Sequence, residues 1–263
     1  MDAYTVSAEF YDVLQARDER ERADRLFASP ARRARSGIIE VGAGSGLITQ
    51  VLARAATVPV HAIEPNPAMR TLLLSRLSTA PTEQRARVTV HPEPVQELWP
   101  KEHAPPADLA VCSKVVATLD ARERRDTWSA LARLVGPNGL LLIDPPPSTM
   151  PEGPRTQVLR QVAVGDDVYS GFISETPIPC ATSGIGRIHL EYTYQVSRDG
   201  TLLREEREEF DLWPVGSEQL RWELAAAGWA VCEPSPATRR SELLAARVIR
   251  DPVDAVDALG HLS

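Results

Sequence analysis

Along this chain, short apolar runs alternate with stretches whose apolar residues fall three and four positions apart, the pattern of strands alternating with amphipathic helices. Gly37-Ile38-Ile39-Glu40-Val41-Gly42 is such a run entering a glycine turn, and residues 47–54 continue at helical spacing. The alternation repeats, with strands predicted at 58–64, 87–91, 108–113 and 140–144 and helices at 66–77 and 122–135. That order predicts an α/β fold, a mostly parallel sheet covered by helices on both faces.

Ahead of the first strand, Tyr4, Phe10, Tyr11, Leu14, Leu26 and Phe27 stand among charged residues, which predicts one or two N-terminal helices that Ser29-Pro30 ends. After Asp144 the rhythm stops. Pro145-Pro146-Pro147 and the Pro- and Gly-spaced residues up to Gly186 read as loop, with a short helix near 156–164. Residues 188–196 alternate in side-chain character, Arg198-Asp199-Gly200 is a turn, and 202–212 can return antiparallel, so a β-hairpin inserted into the α/β scheme is expected. A helix at 217–227 with Gly228 past its end precedes two closing strands at 229–233 and 242–249. The expected organisation is an N-terminal helical cap at 1–36, a core at 37–145 and 214–250, an inserted substrate-side segment at 146–213 and a tail at 251–263.

Length and charge narrow the function. A chain of 263 residues suits one large α/β domain with an inserted element. A formal charge of -7 argues against a nucleic-acid partner, which calls for a basic face. Cys112, Cys180 and Cys232 lack the close spacing of a zinc site or redox pair and read as reduced, buried thiols. Neither a basic segment followed by an apolar run at the start, nor a stretch near the roughly 20 apolar residues that span a bilayer, is found, so no membrane partner and a cytoplasmic location are expected.

The candidate chemistry begins at Gly42-Ala43-Gly44-Ser45-Gly46. Glycines between strand and helix permit positive φ and let a ligand approach backbone amides without a Cβ in the way. Dinucleotides and S-adenosylmethionine both use such a turn. A dinucleotide fingerprint has Gly-x-Gly-x-x-Gly, whereas here the third glycine comes one residue early and Leu47 stands where that glycine would fall, which favours the methyl donor. Glu64 ends the second strand, where a carboxylate can accept both ribose hydroxyls of an adenosine. That suits either cofactor. A bare turn and a solvated strand-end charge are the plainer readings.

From Ile38 to Gly46 and from Ile63-Glu64-Pro65-Asn66-Pro67-Ala68-Met69 onward, the chain resembles the class I S-adenosylmethionine-dependent methyltransferases. Val88-Thr89-Val90-His91-Pro92-Glu93 is similar to that family's third-strand motif and residues 107–113 to its fourth. The resemblance implies a Rossmann-like seven-stranded mixed sheet with its last strand antiparallel and S-adenosyl-L-methionine as cofactor. It places Glu40 and the backbone of Gly42, Ala43, Gly44 and Gly46 by the methionine part, Glu64 and Pro65 at the ribose, Met69 on the adenine, Glu93 near its amino group and Ser113 beside the sulfonium. Pro94 departs from the small residue that often follows the third-strand acid, and Asn138-Gly139 replaces a glycine pair. Phe10-Tyr11-Asp12 and the hairpin at 188–212 resemble the small-molecule methyltransferases of amino sugars, amino acids and antibiotic intermediates.

Methyl transfer to N or O of a small metabolite, in natural-product metabolism, is therefore expected, by a monomer or homodimer. A hydroxyl acceptor profits from a base, whereas a neutral amine does not. His189, Glu191 and Tyr11 are the catalytic candidates. By strand alternation His189 and Glu191 share one face and Tyr192 takes the other; a solvent-exposed sheet face is the plainer reading of that pair. Lys114 can bind a carboxylate or stand solvated. No metal site is indicated, since His61, His91, His103 and His189 are not spaced as paired ligands. A non-catalytic binding protein and a nucleotide-dependent oxidoreductase stay open as alternatives.

Overall fold

The computed structural model describes residues 4–98, 107–180, 186–232 and 243–248; the tail expected at 251–263 lies outside them. A single helix, α1 (Ser7–Arg33), replaces the one or two helices expected to end at Ser29-Pro30, and Pro30 lies inside it. The proline sacrifices one backbone hydrogen bond in the last turn. Phe27 and Ala31, fully buried with Ala28 beside them, hold that turn against the core.

The α/β alternation then runs through β1 (Ile38–Val41), α2 (Leu47–Ala55), β2 (Val60–Ile63), α3 (Pro67–Ser78), the single turn α4 (Thr82–Arg85), β3 (Val88–His91), β4 (Ala107–Cys112), α5 (Ala121–Leu134) and β5 (Val135–Ile143). Local chemistry sets the helix starts. Asn66 accepts from the Ala68 and Met69 amides with Pro67 in the first turn of α3, and Asp120 with Glu123 makes a capping box at α5. Within β5, Asn138 takes φ 61° next to Gly139, so the expected tight turn sits inside the strand as an irregularity in its pairing with β4.

The segment after Asp144 corrects the sequence reading. Instead of loop, a helix at 156–164 and a lone hairpin, it forms β6 (Arg155–Val158), β7 (Val162–Val164), β8 (Asp167–Ile178), β9 (Arg187–Arg198) and β10 (Thr201–Leu212), a five-stranded antiparallel sheet ordered β10-β9-β8-β6 with β7 also on β8. Some of the prolines and glycines that read as breakers stand between strands, with Pro154 just before β6 and Gly165 at φ 62° in the β7–β8 turn, whereas Gly171 and Pro177 are taken into β8. The chain closes with α6 (Ser217–Ala226), β11 (Trp229–Val231) and β12 (Leu244–Val248). The main sheet has seven strands in the order β11-β12-β5-β4-β1-β2-β3, with β12 antiparallel to both neighbours.

Two features join the layers. The N-terminal half of α1 packs Phe10 and Leu14 on Tyr194 and Val196 of the antiparallel sheet, while its C-terminal half packs Phe27 and Ala31 on the main sheet. Between α5 and α6, Arg124 donates from Nε and Nη2 to the two oxygens of Glu223 at 3.0 and 3.1 Å, both side chains being almost wholly buried. Removing one member strands the other charge away from water. Arg124→Ala is expected to lower the unfolding free energy in urea by about 3–5 kcal/mol, and the Arg124→Met/Glu223→Leu double variant to cost less than either single change. Equal losses in single and double variants would refute that account.

Candidate active site

The glycine turn needs its glycines for two different reasons. Gly42, Gly44 and Gly46 take φ of 70°, 57° and 84°, which disfavours L side chains. A Cβ on Gly42 would lie 2.8 Å from Val115 Cγ2, and one on Gly46 would lie 2.5 Å from Leu73 Cδ1. A Cβ on Gly44 would meet nothing within 4 Å. The outer two thus permit packing of the turn, and the middle one presents bare backbone to open space. The Gly42 and Ala43 amides both donate to the Ile63 carbonyl at 3.0 Å, which pins the turn to β2.

Glu64 completes the turn. Its Oε2 accepts from the Gly44 amide at 2.6 Å and its Oε1 from the Asn66 amide at 2.9 Å. Burial raises its ionisation above the ordinary carboxylate range, while those two amides and the nearby Arg70 guanidinium oppose the rise. Glu40 sits behind the turn, fully buried, and accepts from Thr49 Oγ1 at 2.7 Å. Burial pushes its pKa up to about 8 against that hydrogen bond, with the Glu64 charge adding to the rise.

Beyond the turn opens a cavity of about 920 Å³, whose lining includes Gly42, Ala43, Gly44, Glu64, Pro65, Met69 and Ser113. One face of α1 walls it with Ser7, Tyr11, Gln15, Glu19 and Arg22, at spacings of three and four residues. A second, adjoining wall is the antiparallel sheet, through Leu190, Tyr192, Tyr194, Phe210 and Leu212, with Tyr4 against Phe210 at 4.6 Å between ring centroids. Helix α1 is tied down on every side. Asp12 accepts from Ser45 Oγ at 2.7 Å and pairs with Arg76, whose Nε donates to the Ser45 carbonyl at 2.8 Å. Arg22 pairs with Asp144 and Glu19 with Lys114 at the floor, and Glu208 accepts from the Ser7 amide at 2.8 Å at the lid. Asp144 also accepts from Ser113 Oγ and from the Lys114 amide. Burial raises the ionisation of Tyr4, Tyr11, Tyr192 and Tyr194, so all four stay neutral phenols.

Several expectations need correction. His189 and Glu191 do not line the cavity; they stand on the other face of the antiparallel sheet, His189 3.2 Å from Asp211 and Glu191 3.5 Å from Arg207. Pleating alternates side chains, so Leu190, Tyr192 and Tyr194 take the inner face. Glu93 is absent from the wall, where Pro94, Val95 and Gln96 stand instead, because the chain turns at Pro94 into a short 3-10 helix at Val95–Leu98. Glu40 and Gly46 lie behind the lining rather than in it. Lys114 is exposed and paired to Glu19 rather than free for a ligand. The thiols also differ from expectation, since Cys112 is buried but Cys180 is exposed. Among the described residues no group of three metal-ligating side chains comes together and no helix is long and apolar enough to cross a membrane.

The signals for what sequence reasoning missed were present but unspecific. Arg22 continues the helical face of Tyr11, and Asp144 ends a strand in the same way as Glu64.

Residues 39–141 match the family model described as a methyltransferase domain. This part of the chain thus carries a methyltransferase domain. No curated protein matches it in sequence. Among solved structures it is similar to an S-adenosylmethionine-bound amino pentose methyltransferase from Micromonospora echinaspora, involved in calicheamicin biosynthesis, at 21% identity and TM-score 0.67 over 93% of this chain and 97% of that one. A sugar N-methyltransferase from a Streptoalloteichus species follows the same path at 20% identity and TM-score 0.65, covering 94% and 93%. A methyltransferase from Streptomyces caelestis does so at 18% identity and TM-score 0.66, covering 88% and 90%. At these identities the likeness is one of fold, and it extends to the antiparallel sheet as well as to the methyltransferase core.

The buried Glu40 gives this chain a definite pH response. Below about pH 4.5 the carboxyl is protonated both folded and unfolded; above it the unfolded chain ionises first, so the folded state loses stability until about pH 8, where Glu40 ionises in place. Glu40→Gln is expected to flatten the fall in urea-unfolding free energy across that window. An unchanged slope would show that another group carries it.

Proposed function

We propose that this chain transfers a methyl group from S-adenosylmethionine to the nitrogen of a small amine, in natural-product metabolism. The observation that carries the choice of nitrogen is the state of the cavity's ionisable groups. Every described acid lining it is engaged: Glu19 with Lys114, Glu64 with two amides, Glu123 with the Asp120 amide, and Asp144 with Arg22, Ser113 and Lys114. No described histidine lines it, and the phenols are held neutral. A hydroxyl acceptor needs a free base near the operating pH, and an amine arriving with its lone pair does not. Both lining cations, Arg22 and Lys114, are likewise paired, which disfavours an acidic acceptor. The amino-sugar and sugar N-methyltransferases named among the similar structures support the same reading.

The residues fit the cofactor on two counts. Open space at Gly44 admits a ligand against bare backbone, and the Glu64 carboxylate faces the same hollow with lone pairs left for a ribose. Met69 and Pro65 supply an apolar wall for the base. The cofactor supplies an electrophilic methyl group on a sulfonium. The chain's own task is to align the acceptor and exclude water, which α1 and the antiparallel sheet do by closing over the cavity with Tyr4, Tyr11, Tyr192 and Phe210. At the upper end of the roughly 300–1,000 Å³ range of small-molecule sites, the cavity has room for a nucleoside and a metabolite together.

Calorimetry with S-adenosylhomocysteine tests the cofactor half. Glu64→Ala is expected to lose about 1.5–3 kcal/mol of binding, one to two orders of magnitude, and Gly44→Val to bind undetectably. Unchanged affinity in both would reject the placement. For the acceptor half, amino sugars should be methylated and their hydroxyl counterparts left alone, with kcat/KM rising with pH along the amine's own ionisation. Methyl transfer to a hydroxyl counterpart at a comparable rate would refute the choice of nitrogen.

A further inference from the structure

Gln96 stands in the cavity wall where the chain leaves β3, at the position the third-strand acid fails to reach. Its Nε2 donates to Thr127 Oγ1 at 2.9 Å and faces the Glu123 carbonyl at 3.5 Å. A carbonyl accepts and never donates, so this neighbour fixes which end of the amide is nitrogen. The other end is then an acceptor, and it is in want of a partner: Gln96 Oε1 is buried and accepts no hydrogen bond. A buried carbonyl oxygen left unpaired costs about 1–3 kcal/mol, so a fold that keeps one at the wall of its main cavity has an acceptor in reserve for an N–H donor. Pro65, Met69 and Val95 give the same cavity an apolar lining, which suits a planar ring.

We propose that Gln96 reads the exocyclic amine of the cofactor's adenine, taking over the task that resemblance would give to Glu93. This rests on the cofactor reading above. The amide turns slightly toward the cavity it already lines, its oxygen accepts from the 6-amino group, and the α5 contacts of its nitrogen hold it in place. A 6-oxo base sets an acceptor against an acceptor at the same spot and is rejected. Gln96 is thus a specificity residue for the nucleobase, while Glu64 grips the sugar.

The test is the ratio of dissociation constants for S-adenosylhomocysteine and its 6-oxo analogue S-inosylhomocysteine, measured by calorimetry on the full chain. The native protein is expected to prefer the adenine ligand by roughly tenfold or more, a net hydrogen bond gained in one case and an unpaired acceptor in the other. Gln96→Met should bring the two ligands within about twofold. Gln96→Glu, which keeps an acceptor, should retain the preference. Because each ratio is taken within one variant, general loosening of the fold cancels. A native protein that binds both ligands alike overturns the proposal, as does a Gln96→Met variant that weakens both equally and keeps the preference. Should Gln96→Met not fold, loss of preference in Gln96→Glu overturns it. Failure of the native protein to bind S-adenosylhomocysteine at all would instead sink the cofactor reading.

Discussion

The hydrogen bond from the Gly44 amide to the Glu64 carboxylate ties the turn after β1 to the end of β2, and the hollow in which chemistry can occur depends on it. A backbone held at positive φ has no side chain to steady it, so its shape must come from what its amides donate to. Here Ile63 and Glu64 at the end of β2 accept those amides. One carboxylate therefore serves as a prop for the turn and as part of the cavity lining. Its raised ionisation reflects the same compromise, because the burial that makes it a good strut penalises its charge.

The second constraint is that the cavity has no wall of its own. Its sides come from two sheets that share no strand, and α1 is the piece that belongs to both. Charge pairs at Asp12, Glu19 and Arg22 and the Glu208 cap fix the helix in rotation as well as position, which keeps Tyr11, Gln15 and Glu19 turned inward. Exposed ion pairs add little to stability, but partly buried ones on a cavity wall also determine what the cavity can bind. With every described lining charge engaged by an opposite charge or an amide, the cavity presents mainly its shape and neutral phenols.

Much of the glycine turn and its hollow was legible because backbone rules wrote it. Glycine spacing, a strand-ending acid and an Asn-Pro helix start depend on local chemistry, and the structure places Gly42, Gly44, Glu64 and Met69 around one hollow. The lid was not legible for the opposite reason. Residues 155–178 were read as loop because Pro and Gly counted as breakers, yet strand formation there is decided by pairing with β9, a partner remote in sequence. Alternation correctly separated His189 from Tyr192, but which face turned inward depended on where α1 packs, and composition cannot tell that. Glu93 failed through Pro94, which redirects the chain within a residue of the expected site.

Helix α1 is made well before the strands that secure it. Its Ser7 hydroxyl meets Tyr194 at 2.9 Å and its Ser7 amide meets Glu208, partners separated from it by 187 and 201 positions. As the chain leaves the ribosome, α1 emerges long before the strands that hold it. Contacts of such range are slow to form, so the apolar face of the N-terminal half of this helix stays uncovered until β9 is made, and the cavity is closed on that side only when β10 arrives.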